Sequence, residues 1–134
     1  YDTFEHEADV GIIGYGRTLE EAFENGAKAL FSVMVDLNAV IPRTKYTVHC
    51  SAPDREALFV EWLNELISLA DMENLVFSRF QVHFENSDLT GVAHGEHLDP
   101  PRHKPKVQVK AATYSSLKID RRGEYITAQC VLDV

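Results

Sequence analysis

Asp9-Val10-Gly11-Ile12-Ile13-Gly14-Tyr15-Gly16, followed one residue later by Thr18-Leu19-Glu20-Glu21-Ala22-Phe23, is the stretch from which the fold can be read. The apolar run Val10 to Ile13 predicts a strand continuing to Gly16, in which Gly11 and Gly14 point to a bulge or a close backbone approach. Thr18 reads as an N-cap, with Glu21 three residues on completing a capping box that satisfies first-turn amides. Leu19, Ala22, Phe23, Ala27, Leu30, Val33 and Met34 then recur at the spacing of one buried helical face, with Glu20, Glu24 and Lys28 outside it, so a helix is expected to run to about Asp36. Asp9 stands at the mouth of the strand, a rigid place for an ionisable group.

Beyond this strand and helix the periodicity switches again. Tyr46, Val48 and Cys50 alternate with Thr47, His49 and Ser51, predicting a half-buried strand after Pro42. Pro53-Asp54 opens a second helix, in which Leu58, Phe59, Trp62, Leu63, Leu66, Ile67 and Ala70 make a broad apolar stripe. Phe80, Val82 and Phe84 alternate with polar neighbours, and Asn86-Ser87-Asp88 supplies turn chemistry before a shorter segment, Leu89 to Ala93, which reads as a hairpin. His94 to Lys106 has no period and reads as a solvated loop. Two strands close the chain, one around Val107 to Ala112 and one from Tyr125 to Leu132 after the Arg121-Arg122-Gly123 turn. The order predicts an α+β domain with two helices packed on an antiparallel or mixed sheet system.

At 134 residues and 45% hydrophobic content, the chain is expected to form one compact domain, residues 1–134, burying roughly two-thirds of its unfolded surface. Twenty-one acids against 13 Lys and Arg give a net charge of −8, which argues against a free-standing, tight nucleic-acid binder, because phosphate contacts need clustered positive charge. Cys50 and Cys130 lack the spacing of a metal or redox pair and are expected to be buried, reduced thiols. No stretch approaches the ~20 apolar residues that span a bilayer, and no export signal opens the chain, so a cytoplasmic protein without a membrane partner is expected. The first residue being Tyr1, a few native residues are expected to precede it.

Asp9 and Asp133 form the strongest candidate site if the first and last strands are neighbours, since the carboxylate of Val134 would add a third negative group beside them. Like charges brought together either share a proton or bind a cation, and hard carboxylate oxygens favour Ca²⁺, Mg²⁺ or Mn²⁺. Ca²⁺ is the first expectation, because its flexible oxygen shell tolerates a site completed by a chain end and water. The plainer alternative is that Asp9 caps a turn and Asp133 is a solvated end residue. His6 is a candidate ligand, an orienting residue or a half-buried imidazole. His94, His97 and His103, with Glu96 and Asp99, do not match a zinc motif and lack a regular element to fix them. Arg102, His103, Lys104, Lys106 and Lys110 are the local excess of positive charge, able to receive a phosphate or an acidic surface or simply to face water. Gly14-Tyr15-Gly16 lacks the third glycine of a dinucleotide loop, and Ser115 and Ser116 lack a base.

Six ordered blocks carry a resemblance that spans nearly the whole chain: Phe4-Glu5-His6-Glu7-Ala8-Asp9-Val10-Gly11-Ile12, Thr18 to Phe23, Trp62-Leu63-Asn64-Glu65-Leu66, Gly95 to His103, Val109 to Tyr114, and Leu132-Asp133-Val134. Together they closely resemble the archease family. The resemblance implies a small accessory protein, not itself an enzyme, of the RtcB-type RNA ligase that seals tRNA exon halves and other broken RNAs. Such a protein promotes guanylylation of the ligase's own histidine and its multiple turnover. The resemblance also implies a metal site built from Asp9, Asp133 and the carboxylate of Val134, and a fold in which one strand-helix-strand-strand module is inserted in a similar one. Glu7 stands where the family usually has Thr, and Ser115 follows Tyr114 where His is common. His6, Arg102 and His103 remain candidates for touching the ligase. The competing reading is a stand-alone metal-dependent hydrolase using the same acids, which would need a substrate pocket with its own base.

Overall fold

Capping and glycine placement set the first turns of the structure. The computed structural model describes residues 1–6, without the side chain of His6, and 9–134. Among these residues the order is β1 (Asp2–His6), β2 (Asp9–Gly16), α1 (Leu19–Met34), a 3-10 turn (Leu37–Ala39), β3 (Thr44–Ser51), α2 (Arg55–Glu73), β4 (Leu75–Glu85), β5 (Asp88–His97), the one-turn α3 (Pro100–His103), β6 (Ala111–Ala112), β7 (Lys118–Arg122) and β8 (Tyr125–Asp133). Thr18 Oγ1 accepts the Glu21 amide at 3.1 Å, as an N-cap should, and Asp54 Oδ1 accepts the Ala57 amide at 2.8 Å, capping the helix that Pro53-Asp54 opens. No helix among the described residues is long and apolar enough to cross a membrane.

Two antiparallel sheets result. In the first, the strands follow the order β1-β2-β8-β6, with β7 also pairing with β8. The second has the order β3-β5-β4. The segment β3-α2-β4-β5 thus interrupts the strands and helix that build the first sheet, the nested arrangement implied by the family resemblance. Chain-distant β2 and β8 pair from Val10 opposite Leu132 to Gly16 opposite Ile126 without a register break. The glycines of β2 therefore mark a close approach and not a bulge. A Cβ at Gly14 would sit 2.2 Å from the Ala22 carbonyl oxygen, and one at Gly16 would sit 2.4 Å from the Ala22 nitrogen, so α1 lies directly on the strand.

α1 touches β2 and β8 of one sheet and β4 of the other, which explains why its buried face is wider than the sequence stripe and takes in Gly26, Ala29 and Phe31. α2 packs on the inner face of the second sheet and against β6. Trp62 of α2 is fully buried and donates its indole N–H to the Phe23 carbonyl at 3.1 Å, tying the two helices together. The rings of Phe23 and Phe59 meet edge to face at 5.0 Å. Burying aromatic side chains of this size contributes roughly 1.5–3 kcal/mol each.

Three sequence expectations change. β5 continues past Ala93 to His97, and the alternation is hidden because, after Leu89, its inward positions Gly91, Ala93 and Gly95 carry small residues. They are small for a reason: a Cβ at Gly91 would meet the Trp62 ring at 2.2 Å, and one at Gly95 the Val76 carbonyl at 1.9 Å. The strand expected over Val107 to Ala112 shrinks to Ala111–Ala112, with Val107 41% exposed. β7 is an additional strand, hidden from the alternation because its residues are polar except Ile119. Cys130 is buried and Cys50 half-buried, both free, and burial pushes each thiol up to about 12.

Because the atoms facing Gly14 belong to helix backbone and cannot swing aside, Gly14→Ala should destabilise the protein by about 3 kcal/mol, measured by urea unfolding. An unchanged unfolding midpoint would contradict the close-approach account.

Candidate functional site

Pairing of the first and last long strands decides where the two aspartates go. Val10 opposite Leu132 is the last pair of the β2–β8 ladder, and continuing its register by one residue sets Asp9 against Asp133 just beyond it. Directly opposed residues of an antiparallel pair project from the same face, so both carboxylates leave one face of the sheet. Asp9 is half-buried and Asp133 exposed, while Val134 is half-buried with its side chain packed against the core. The end of β8 is also held from the other side. Ala111 pairs with Asp133, and the Asp133 carbonyl accepts the Lys110 amide at 2.8 Å. Thr113 donates both its amide (2.9 Å) and its hydroxyl (2.8 Å) to the Val131 carbonyl.

This end of the ladder fixes its backbone, and Asp9, Asp133 and the Val134 carboxylate offer oxygen donors, the chemistry suited to a hard divalent cation. Among the described residues no group of three or more His, Cys, Asp or Glu side chains is placed to hold a metal. A cation here would rest on two side-chain carboxylates, the Val134 carboxylate and water. The side chain of His6 and the whole of Glu7, the other candidates of the opening motif, lie outside the described residues.

A second cluster forms where the sequence suggested a solvated loop. Glu96 is 6% exposed and His103 fully buried. Glu96 accepts the Arg43 Nε–H at 2.9 Å, an Arg102 guanidinium N–H at 2.7 Å and the Ile41 amide at 2.8 Å. Its fourth partner is His103 Nε2, at 2.8 Å. His103 Nδ1 accepts the Asp99 amide at 2.8 Å, which assigns the ring proton to Nε2 and makes that atom a donor to Glu96. Arg102 also donates to the Ala39 carbonyl at 2.8 Å. The Arg102 guanidinium foremost, then the Ile41 amide, His103 and Arg43, outweigh burial and hold the Glu96 carboxyl well below the usual carboxylate range.

Arg102 and His103 are thus turned inward as a brace joining β5, α3 and the 3-10 turn, and are not part of a solvated cationic patch. No zinc set assembles either: His94 and His97 project from opposite faces of β5, and His103 is committed to Glu96. The available signal was Asp99-Pro100-Pro101, a helix start that fixes Arg102 and His103 within one turn of each other.

The Archease protein family matches this chain over residues 1–134. A protein archease of Sulfurisphaera tokodaii is 41% identical over 136 residues, covering 100% of this chain and 98% of the relative. That of Pyrococcus furiosus is 45% identical over 140 residues with the same coverage. The solution structure of Methanobacterium thermoautotrophicum protein 1598 superposes with a TM-score of 0.87 at 35% identity, covering 99% of this chain and 97% of that one. The crystal structure of a Thermotoga maritima protein described as an archease, possible chaperone, has the same fold, with a TM-score of 0.65, 20% identity and coverage of 100% and 97%.

Glu96 makes a pH-dependent prediction. Its folded-state carboxyl titrates below the ordinary 4.5, so the stability it contributes is present above that value and is lost as pH falls toward the folded one. Glu96→Gln keeps the shape but removes the charge facing two guanidinium groups, and should cost about 2–4 kcal/mol at neutral pH. Urea unfolding of both proteins should show this gap narrowing below about pH 4.5. Equal stabilities at neutral pH would contradict the brace.

Proposed function

Since this chain belongs to the archease family, we propose that it is a metal-binding accessory protein of an RtcB-type RNA ligase, promoting guanylylation of the ligase and its multiple turnover in tRNA splicing and RNA repair. The observation that carries the reading is the register of β2 against β8, which sets Asp9 opposite Asp133 one residue before Val134. Asp9, Asp133 and the Val134 carboxylate would hold the cation, with Ca²⁺ first and Mg²⁺ or Mn²⁺ as alternatives. Bound there, a divalent ion supplies positive charge at an otherwise acidic sheet edge. The chain's own part is to hold both strand ends in place, through the Lys110 amide on the Asp133 carbonyl and the two Thr113 bonds to Val131.

A protein-directed role also agrees with the net charge of −8, which disfavours tight RNA binding by this chain alone. The name "possible chaperone" carried by the Thermotoga maritima structure points the same way, toward a protein partner. A cavity of about 380 Å³ is lined mainly by apolar residues of α1, α2 and the segment 105–109 and includes neither aspartate, so it lends no support to a hydrolase built on these acids.

The test is ligation by a matched RtcB-type ligase under single- and multiple-turnover conditions, with and without this protein. The wild-type chain should raise multiple turnover. Asp9→Asn and Asp133→Asn should remain folded but lose metal affinity and ligase activation. Extending the chain by a few residues after Val134 should do the same, since it displaces the terminal carboxylate. Full activation by all three variants would return both aspartates to a structural role.

A further inference from the structure

The outward face of the second sheet carries a charge arrangement that its own packing does not explain. Lys45 of β3 lies opposite His94 of β5, and Arg79 of β4 lies opposite His94 from the other side. Three adjacent strands thus present Lys, His and Arg in one row, at about 4.8 Å per strand. Lys45 and Arg79 are exposed, and among the described residues neither makes an ion pair, although Arg43, Arg102, Lys118 and Arg122 do. Lys45 and Arg79 flank His94 at two strand spacings, roughly 9.6 Å, and neither is answered by an acid among the described residues although the chain carries a net charge of −8. His94 adds a second observation: its Nε2 is enclosed and, among the described residues, has no hydrogen-bond partner. Burial first, then Arg79 and Lys45, keep that ring from protonating as readily as a free histidine.

We propose that the Lys45–His94–Arg79 row is a docking site for a short carboxylate-rich segment of a partner protein. Carboxylates match the row in charge, and the planar guanidinium of Arg79 can take one bidentately while the Lys45 ammonium takes a second. β3 is an edge strand, so an extended segment can approach the row from the side. A nucleic-acid backbone fits less well. The face offers no Phe, Tyr or Trp for bases to stack on, and a long polyanion meets the repulsion of the whole chain. Two or three carboxylates feel mainly the charges within a Debye length of about 8 Å. The row lies on the other sheet from Asp9 and Asp133, and the proposal stands independently of the metal site.

Amide NMR of the labelled full chain, titrated with blocked hexaglutamate at about 0.15 M salt, tests the assignment. Saturable shifts should centre on Lys45, Arg79 and His94. In Lys45→Gln/Arg79→Gln the affinity should fall about tenfold, the loss expected for two exposed charge-assisted contacts. The same spectrum reports whether that variant is folded, and the single substitution Lys45→Gln, with a smaller loss, replaces it if it is not. Three outcomes would overturn the proposal: no saturable shift, shifts only elsewhere, or single-stranded oligouridylate producing the same shifts at lower concentration than hexaglutamate.

Discussion

The pairing of β2 with β8 is the constraint on which the other features rest. It brings residue 10 against residue 132 and makes β8 an interior strand, flanked by β2 on one side and by β7 and β6 on the other. A strand so placed has nearly all of its backbone groups engaged, which fixes the chain to within a residue of Val134. The same pairing needs glycines at 14 and 16 so that α1 can lie on β2, and α1 in turn reaches β4 and joins the two sheets. Asp9 and Asp133 face each other as a consequence of the register that builds the core.

Two kinds of acidic residue result from this frame, and their surroundings separate their roles. Glu96 accepts from Arg43 at Oε1 and from Arg102, His103 and the Ile41 amide at Oε2, so its charge serves cohesion. Asp9 and Asp133 appear in no ion pair among the described residues and sit at the end of a ladder with an unbroken register. The former is what a structural carboxylate looks like, and the latter is an arrangement open to a ligand.

Much of this was legible in the sequence wherever a local rule operates alone. Thr18 caps the first helix as read, the second starts directly after Pro53-Asp54, and the stripe from Leu58 to Ala70 is buried as read. The α+β class followed from the order of elements. What stayed hidden depends on partners far along the chain. β5 could not be read to His97, because Gly91 and Gly95 are small to make room for Trp62 and Val76, which no window around residue 93 contains. His94 to Lys106 looked solvated because Glu96 and His103 are polar, and only their bonds to each other and to the half-buried Arg102 make their burial tolerable. The aspartate pair was visible only on the condition that the terminal strands be neighbours, a condition the β2–β8 ladder meets.

The central claim, a divalent cation held where these two strands end, is tested most directly by titrating Ca²⁺ into the isolated protein while following backbone amides by NMR. The account predicts saturable one-to-one binding, with the largest shifts at Asp9, Val10 and Leu132 to Val134 and with the Lys45–His94–Arg79 row unmoved. Unsaturable, scattered shifts, or none at the β2–β8 edge with Ca²⁺, Mg²⁺ and Mn²⁺ alike, would contradict it.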